Sequence, residues 1–259
     1  CDAMAQDLTT TAGIDPRRIV RIYNPVDVAS IDRLAGTGEN PFGRDRPGRS
    51  ILAVGSFKAQ KGFPRLLRAF AARPPWLAEA NLWILGDGEL RASLQALAAS
   101  LGIADRVHLP GIEANPFVWM RHADLFVLCS HYEGLPNALL EAIACRCPVV
   151  ALDSPGGTRE IMKVCGLPGR LVSKLVWEPC FFDTEGLNEA RSRVETVFAR
   201  ATIVAQYERE FRLDEPLRTG EVDRVAGTSN RQLYGRVDPI TTRKDVEDGG
   251  NEEDPEAVQ

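Results

Sequence analysis

The stretch from Leu125 to Glu141, LFVLCSHYEGLPNALLE, joins a short apolar run to an amphipathic segment through a polar loop. Leu125 to Cys129 has the length of a buried strand, and Pro136 to Cys145 carries apolar residues at helical spacing. A strand, a loop and a helix in this order form the repeating unit of parallel α/β sheets. The loop then lies at the carboxyl end of its strand, where open α/β sheets bind their ligands.

The same alternation extends in both directions from this stretch, from Ser50 to about Glu160. The predicted strands are Ile51 to Gly55, Leu82 to Gly86, Val107 to Leu109, Leu125 to Cys129 and Pro148 to Leu152. The predicted helices are Phe63 to Ala72, Glu89 to Leu101, Pro116 to His122 and Pro136 to Cys145. Short apolar strands that alternate with amphipathic helices predict an α/β fold: a doubly wound, Rossmann-like parallel sheet with helices on both faces.

The segments outside this core are less regular. Ile19 to Ile22 is predicted to be a linker strand, Val164 to Val176 to supply one more strand, and Ala190 to Phe211 to form a final helix. Gly, Thr, Ser and acidic residues dominate beyond Asp214, which predicts a disordered acidic tail. The predicted divisions are 1–18 for a remnant of a preceding domain, 19–175 for the Rossmann-like domain, 176–213 for a helical segment and 214–259 for the tail.

Composition excludes several classes of protein. The chain has 259 residues, of which 44% are hydrophobic and 26% charged, so disorder throughout is excluded. Its apolar runs fall short of the roughly 20 residues that a membrane-spanning helix needs, and no signal peptide begins it. A cytoplasmic location is therefore expected. The chain opens at Cys1 without an initiator methionine, and we expect it to be a piece of a longer protein.

Charge and cysteine content argue against two further classes. Residues 241–259 hold seven acidic and two basic residues, which accounts for the whole net charge of -5. The rest of the chain is neutral, so we expect no nucleic-acid partner. The six cysteines lack paired C-x-x-C spacing. We therefore interpret them as reduced structural thiols and expect no metal site.

Two glutamates mark the most informative loop and helix. Glu133 lies in the loop after the predicted strand, and Glu141 lies one helical turn beyond Asn137 on the same face. Gly134 lets the backbone approach a ligand, and Pro136 suits a first helical turn whose free N–H groups face an anion or sugar hydroxyls. Carboxylate oxygens accept hydrogen bonds from vicinal diols. The alternative is that both glutamates are solvated surface acids.

Several motifs together resemble one known family over residues 19–162. They are Asn24-Pro25-Val26-Asp27, Val54-Gly55-Ser56-Phe57 with Lys61-Gly62, Leu85-Gly86-Asp87-Gly88, Leu109-Pro110-Gly111, Glu133 to Glu141, Pro148-Val149-Val150 and Gly157-Thr158-Arg159-Glu160. In this order they resemble family 4 retaining glycosyltransferases, and the glutamate pair is the most specific element. The resemblance is to the C-terminal, nucleotide-sugar-binding domain of the GT-B fold. Asp2 to Thr10 resembles the last helix of the preceding acceptor domain.

The resemblance implies a role for each matching residue. Glu141 is expected to hold the nucleotide ribose, Glu133 to contact the transferred sugar, and Lys61 to bind the donor diphosphate. Backbone amides of Gly134, Leu135 and Asn137 are expected to help hold sugar and phosphate.

Five further residues border the expected nucleotide site or depart from the family. The resemblance implies that Gly55 and Gly111 border the nucleotide and that loop backbone around Val107 to Gly111 holds the base. The family usually has an arginine at the position of Ser56, and Lys58 is expected to bind the diphosphate in place of that arginine. Arg146 stands where the family often has a glycine in a left-handed turn, at a cost of about 1 kcal/mol.

The implied activity is hexosyl transfer with retention from a UDP- or GDP-linked sugar. The acceptor is a glycan or a lipid-linked glycan, bound through the absent N-terminal domain. No metal cofactor is expected, and the leaving phosphate assists the acceptor hydroxyl, so no protein nucleophile is needed. In the full-length protein, peripheral attachment at the inner face of the membrane is the alternative to a purely cytoplasmic location.

Three other interpretations remain open. A degenerate nucleotide-binding or interaction module would explain Ser56, and an epimerase of the same fold would need residues from the absent half. Gly86-Asp87-Gly88 also suggests dinucleotide binding, although Arg91 takes the place of the third glycine. Glu160 is either a ligand of the donor or the start of a helix.

Overall fold

Six short strands form a parallel sheet in a computed structural model that describes residues 1–43 and 47–211. The strands are β1 (Ser50–Val54), β2 (Asn81–Leu85), β3 (Val107–Gly111), β4 (Leu125–Leu128), β5 (Val149–Leu152) and β6 (Leu171–Val172). Their order is β3-β2-β1-β4-β5-β6, and Ile51 of β1 pairs with Leu82 on one side and Leu125 on the other. This order reverses direction between β1 and β4, as in doubly wound sheets, and confirms the predicted fold class.

Helices cover both faces of this sheet. The described residues contain α1 (Asp2–Thr10), α2 (Val28–Ala35), α3 (Phe63–Ala71), α4 (Arg91–Ser100), α5 (Pro116–His122), α6 (Asn137–Ala144), α7 (Thr158–Val164), α8 (Leu187–Val197) and α9 (Arg200–Phe211). Alternate residues of β1 enter two different cores: Ile51 packs with α3 and α4, and Leu52 packs with α5 and α6. Both strand faces are therefore buried, which explains why the strands are apolar throughout.

Two predictions at the flanks were wrong, and they share one physical cause. Ile19 to Ile22 forms no strand, since the linker pairs only through a single bridge between Val26 and Ala199. The same bridge interrupts the predicted final helix, so that α8 and α9 are separate. Phe198, fully buried at the break, packs against Tyr23 of the linker with ring centroids 4.8 Å apart.

The other predictions outside the central sheet had different outcomes. The extra strand expected within Val164 to Val176 is β6, which has only two residues. Arg146 adopts the expected left-handed conformation with φ of 58°, and its N–H donates to the Ile143 carbonyl. The tail predicted to be disordered lies outside the described residues. None of the helices in the described ranges combines the length and apolarity needed to span a bilayer.

Glycines let neighbouring loops touch at the carboxyl edge of the sheet. A Cβ on Gly86 would lie 2.0 Å from the Gly55 carbonyl oxygen, and one on Gly156 would lie 1.5 Å from the Glu133 carbonyl oxygen. Both glycines have positive φ, 134° and 107° respectively. The loops after β1, β2, β4 and β5 are thus packed backbone to backbone at this edge, which places their side chains together.

Candidate functional site

The Glu133 carboxylate lies at the end of β4 and is almost fully buried. Its Oε1 accepts hydrogen bonds from Lys61 Nζ at 2.7 Å and from Ser130 Oγ at 2.5 Å. Its Oε2 accepts none from the described residues and is not among their fully buried unpaired atoms. The Glu133 N–H donates to the Pro155 carbonyl at 3.0 Å, which fixes the backbone as well. The carboxylate is therefore held at one oxygen and reachable at the other.

Lys61 reaches Glu133 because the loop after β1 is pressed against the end of β4. The lysine ends a short 3-10 turn, Ala59–Lys61, and Gly62 follows it with φ of 68°. A Cβ on Gly62 would lie 2.1 Å from the Cys129 carbonyl oxygen, so only glycine fits there. The methylene chain of Lys61 packs on Gly55, where an added Cβ would lie 3.3 Å from Cδ and Cε. Gly55 thus shapes the path of the lysine.

Three backbone amides around the start of α6 have no acceptor among the described residues. Within the part of the chain that the structure describes, the N–H groups of Gly134, Leu135 and Asn137 donate no hydrogen bond. The Gly134 carbonyl accepts from Gly157 N–H at 2.7 Å, so the loop is held in place while its amides stay available. Free amides at a helix start attract an anion, because they add to the positive end of the helix dipole.

Glu141 lines a separate cleft beside α6. The cleft has a volume of about 180 Å³, and its other walls are the linker, the start of α2 and Phe117 of α5. Burial raises the pKa of Glu141 above its ordinary value. Asn137 lies on the same face of α6, as its spacing predicts, and its Oδ1 accepts from Asn24 Nδ2 at 2.8 Å.

The two glutamates therefore face different surroundings. Glu133 faces Lys61 and Ser130, whereas Glu141 faces Asn137 and α2. The first is a charged, hydrogen-bonded carboxylate, and the second lies in a partly desolvated cleft where only its burial shifts its pKa. Together with the free amides between them, they frame the first turn of α6.

Sequence reasoning missed two parts of this site. Ser130, beside Glu133, was quoted within the loop but given no role. The cleft wall formed by Pro25, Asp27, Ser30 and Ile31 was also missed. Asn24-Pro25-Val26-Asp27 was quoted as a motif of the resembled family, but no spacing in the chain indicates that the linker folds back onto α6. The linker is held there by the hydrogen bond between Asn24 and Asn137, which are 113 positions apart, so no local signal in the sequence indicates this contact.

The remaining candidate residues lie at the edge of these two groups. Lys58 is exposed and forms no ion pair with any described residue, and Ser56 is exposed as well. The Gly111 carbonyl accepts from Gly86 N–H at 2.7 Å, which joins the loops after β2 and β3. Arg91 ties the same loops, since it donates to Asp87 at 2.9 Å and to the Leu109 carbonyl at 3.1 Å.

Glu160 is engaged by the linker and by α1. Its carboxylate accepts hydrogen bonds from the Tyr23 hydroxyl and, at 2.8 Å, from the backbone N–H of Asp2. Burial and this bond raise the pKa of Tyr23. Among the described residues, no group of three or more His, Cys, Asp or Glu side chains is placed to hold a metal ion. The six cysteines, all of them described, are unpaired.

Comparison with known proteins supports the fold and identifies the family. The family model for group 1 glycosyl transferases matches residues 39–172, about half of the chain. An uncharacterized glycosyltransferase of Methanocaldococcus jannaschii is 36% identical over 143 residues, which are 52% of this chain and 35% of that protein. N-acetylgalactosamine-N,N'-diacetylbacillosaminyl-diphospho-undecaprenol 4-alpha-N-acetylgalactosaminyltransferase of Campylobacter jejuni is 33% identical over 156 residues, 60% of this chain and 40% of that protein.

The solved structure of Anabaena HepE in complex with UDP has a similar fold, with a TM-score of 0.63 and 20% sequence identity. The likeness covers 80% of this chain and 61% of that one. The chain spans 35% of the length of the Methanocaldococcus relative and 40% of that of the Campylobacter relative. With a six-stranded Rossmann-like sheet and a family match that covers about half of its length, the chain belongs to the group 1 glycosyl transferases.

Proposed function

We propose that the chain is the C-terminal, donor-binding domain of a family 4 glycosyltransferase, which transfers a hexose with retention from a nucleotide diphosphate sugar. The observation that carries this proposal is the arrangement around the first turn of α6. A partly buried carboxylate lines a small cleft beside the turn, and a lysine, a second carboxylate and three unpaired amides lie in the loops at its start. A nucleotide sugar has the matching parts: ribose, diphosphate and hexose.

The cleft beside Glu141 suits the ribose. Its volume of about 180 Å³ is below the roughly 300 Å³ at which whole-ligand pockets begin, so it fits one ring rather than an entire nucleotide sugar. A desolvated carboxylate gains more from two hydroxyl donors than a solvated one does, because it gives up less hydration on binding. Glu141 is therefore assigned to the vicinal ribose hydroxyls.

The surroundings of Glu133 suit the diphosphate and the hexose. The amides of Gly134, Leu135 and Asn137 bind phosphate or hydroxyl oxygens, and Lys61 neutralises the charge that develops on the leaving phosphate. Glu133, with one oxygen held and the other reachable, accepts from a sugar hydroxyl. Because the leaving phosphate assists the acceptor hydroxyl, the transfer needs no nucleophile from this chain.

The acceptor is a glycan or a lipid-linked glycan bound through a domain that precedes this one in the whole protein. The name of the Campylobacter relative describes transfer to a diphospho-undecaprenol-linked sugar, which supports this class of acceptor. HepE was solved with UDP and with UDP-glucose, which makes UDP the first nucleotide to test. The α1 helix is interpreted as the end of that preceding domain.

Calorimetric titration of the purified chain with UDP and with GDP tests the proposal. We expect micromolar binding of one of them, lost in Glu141→Ala and kept in Glu208→Ala, which removes an exposed glutamate of α9 without a described ion pair. Failure of both nucleotides to bind a chain that melts cooperatively would favour a degenerate interaction module. The exposed Ser56, in place of the arginine of the diphosphate site, is the feature that would explain that result.

A further inference from the structure

A large groove in the described part of the chain lies outside the site around α6. It has a volume of about 610 Å³ and runs between α3 and the segment that follows β6. Its apolar walls include Ala69, Leu152, Leu175 and Trp177. Trp177 fixes one wall, since its Nε1–H donates to the Ala69 carbonyl at 2.7 Å. The groove is therefore a formed feature with one face of α3 as its side.

Among the described residues that line the groove, three are cations and none is acidic. They are Arg65 and Arg68, one turn apart on α3, and Lys174 just beyond β6. Arg68 and Lys174 are exposed, and neither forms an ion pair with any residue that the structure describes. Residues 1–240 have no net charge, so this concentration of positive charge is local. An anion is the ligand that such a rim attracts.

Exposed apolar side chains continue the groove into solvent. Val176 lines it and is 55% exposed, and Trp76, two residues beyond the groove residue Pro74, is 47% exposed. The ring of Trp76 is held edge-on against Phe182 with centroids 5.8 Å apart. A fixed, half-exposed tryptophan is typical of surfaces that meet the boundary between lipid headgroups and acyl chains.

We propose that this groove binds an anionic glycerophospholipid. The phosphate lies at Arg68 and Lys174, and the part of the acyl chain nearest the headgroup lies against the apolar walls. Free phosphate would use the cations but leave Leu175, Val176 and the other apolar walls in water. Lipid engages both parts of the surface, because attachment strength rises with buried apolar area and with attraction between basic residues and anionic headgroups. The proposal does not depend on the transfer reaction.

Co-sedimentation of the full chain with vesicles tests this proposal. The vesicles contain either phosphatidylcholine alone or an equimolar mixture of phosphatidylglycerol and phosphatidylcholine. Wild type is expected to bind the mixed vesicles and not the neutral ones. Arg68→Gln with Lys174→Gln should lower the partition coefficient about 30-fold, since each basic residue near an anionic surface contributes about a factor of five. Val176→Asp should also lower it, because it places a charge at the apolar rim.

The matched control is Arg121→Gln with Lys163→Gln, which removes the same charge from exposed positions on α5 and α7, on the opposite face of the sheet. All variants change exposed side chains, and their melting curves should match that of wild type. Equal losses in the control and groove variants would overturn the proposal, as would no binding of wild type to the mixed vesicles. Complete inhibition of vesicle binding by millimolar inorganic phosphate would indicate a site for free anions and overturn the lipid proposal. A Val176→Asp chain that binds the mixed vesicles as well as wild type does would have the same meaning.

One further occupant is tested by sedimentation velocity without lipid. A second copy of the chain would give a dimer that Val176→Asp abolishes, and that result would overturn the lipid proposal. A monomer that binds mixed vesicles through the groove residues supports it.

Discussion

Lys61 Nζ donates to Glu133 Oε1 at 2.7 Å across the ends of the neighbouring strands β1 and β4, and both side chains are largely buried. Removal of Lys61 leaves the Glu133 carboxylate with Ser130 as its partner and without a countercharge. We expect Lys61→Met to lower the free energy of unfolding more than Glu133→Gln does, because the charge left on Glu133 has a side chain only 7% exposed, whereas the charge left on Lys61 has one 23% exposed.

The double variant Lys61→Met with Glu133→Gln provides the control for this pair. We expect it to be more stable than the sum of the single effects predicts, by about 1–3 kcal/mol. Urea unfolding of the four proteins at pH 7 measures the coupling. Strictly additive effects would mean that solvent already screens the pair.

The buried carboxylate of Glu141 is expected to lower the stability of the folded chain and to strengthen nucleotide binding. Its pKa is raised by burial, so the folded chain binds this proton more tightly than the unfolded chain does. The free energy of unfolding therefore falls as the pH rises from the ordinary glutamate range through the raised pKa. Glu141→Gln removes the buried charge, and we expect it to raise the melting temperature at pH 7 and to remove this component of the pH dependence.

The same variant should bind nucleotide about 10- to 100-fold more weakly, because hydrogen bonds to a charged acceptor contribute about 1.5–3 kcal/mol. In wild type, nucleotide affinity should fall at acidic pH as Glu141 is protonated. Thermal melts and calorimetry across pH 4 to 8 measure both effects. A Glu141→Gln chain that is less stable at pH 7 would contradict the burial argument.

Gly156 fixes the backbone position of Glu133. A Cβ there would lie 1.5 Å from the Glu133 carbonyl oxygen, and φ is 107°. Gly156→Ala must displace the loop, so we expect it to lower the free energy of unfolding by about 2–6 kcal/mol, from backbone strain and overpacking together. It should also abolish nucleotide binding where the chain still folds.

Gly38→Ala is the control for the strain alone. Gly38 has a similar φ of 91°, but nothing lies within 4 Å of an added Cβ. We expect a loss of only about 1 kcal/mol and unchanged nucleotide binding. Chemical denaturation of both variants separates the two contributions, and equal losses would show that Gly156 is needed for its φ alone.

The regular part of the fold was predictable because local signals agree there. The strand predicted at Ile51 to Gly55 is observed at Ser50–Val54, since an apolar run bounded by a polar residue and a glycine leaves little freedom. The helix after Glu133 was predictable for the same reason: Pro136 marks its start, and Asn137 and Glu141 fall on one face.

Long-range contacts account for what the sequence did not predict. The bridge of Val26 to Ala199 divides a segment that reads as one continuous helix, and it joins residues 173 positions apart. The bond between Lys61 and Glu133 spans 72 positions. Spacing along the chain carries no signal for such pairs, so both residues could be proposed as ligands of the donor without the bond between them being foreseen.

Arg146 tests how much a left-handed residue costs this fold. It ends α6 with φ of 58°, and its Nε donates to Asn188 Oδ1 at 2.9 Å on the exposed surface. Arg146→Gly relieves the contact between Cβ and the following carbonyl, whereas Arg146→Ala retains it. Both variants lose the bond to Asn188, so the difference between them isolates the conformational cost.

We expect the glycine variant to exceed the alanine variant in free energy of unfolding by about 1 kcal/mol. Urea denaturation measures this difference. An alanine variant as stable as the glycine variant would show that the backbone at this position relaxes out of the left-handed region at no cost.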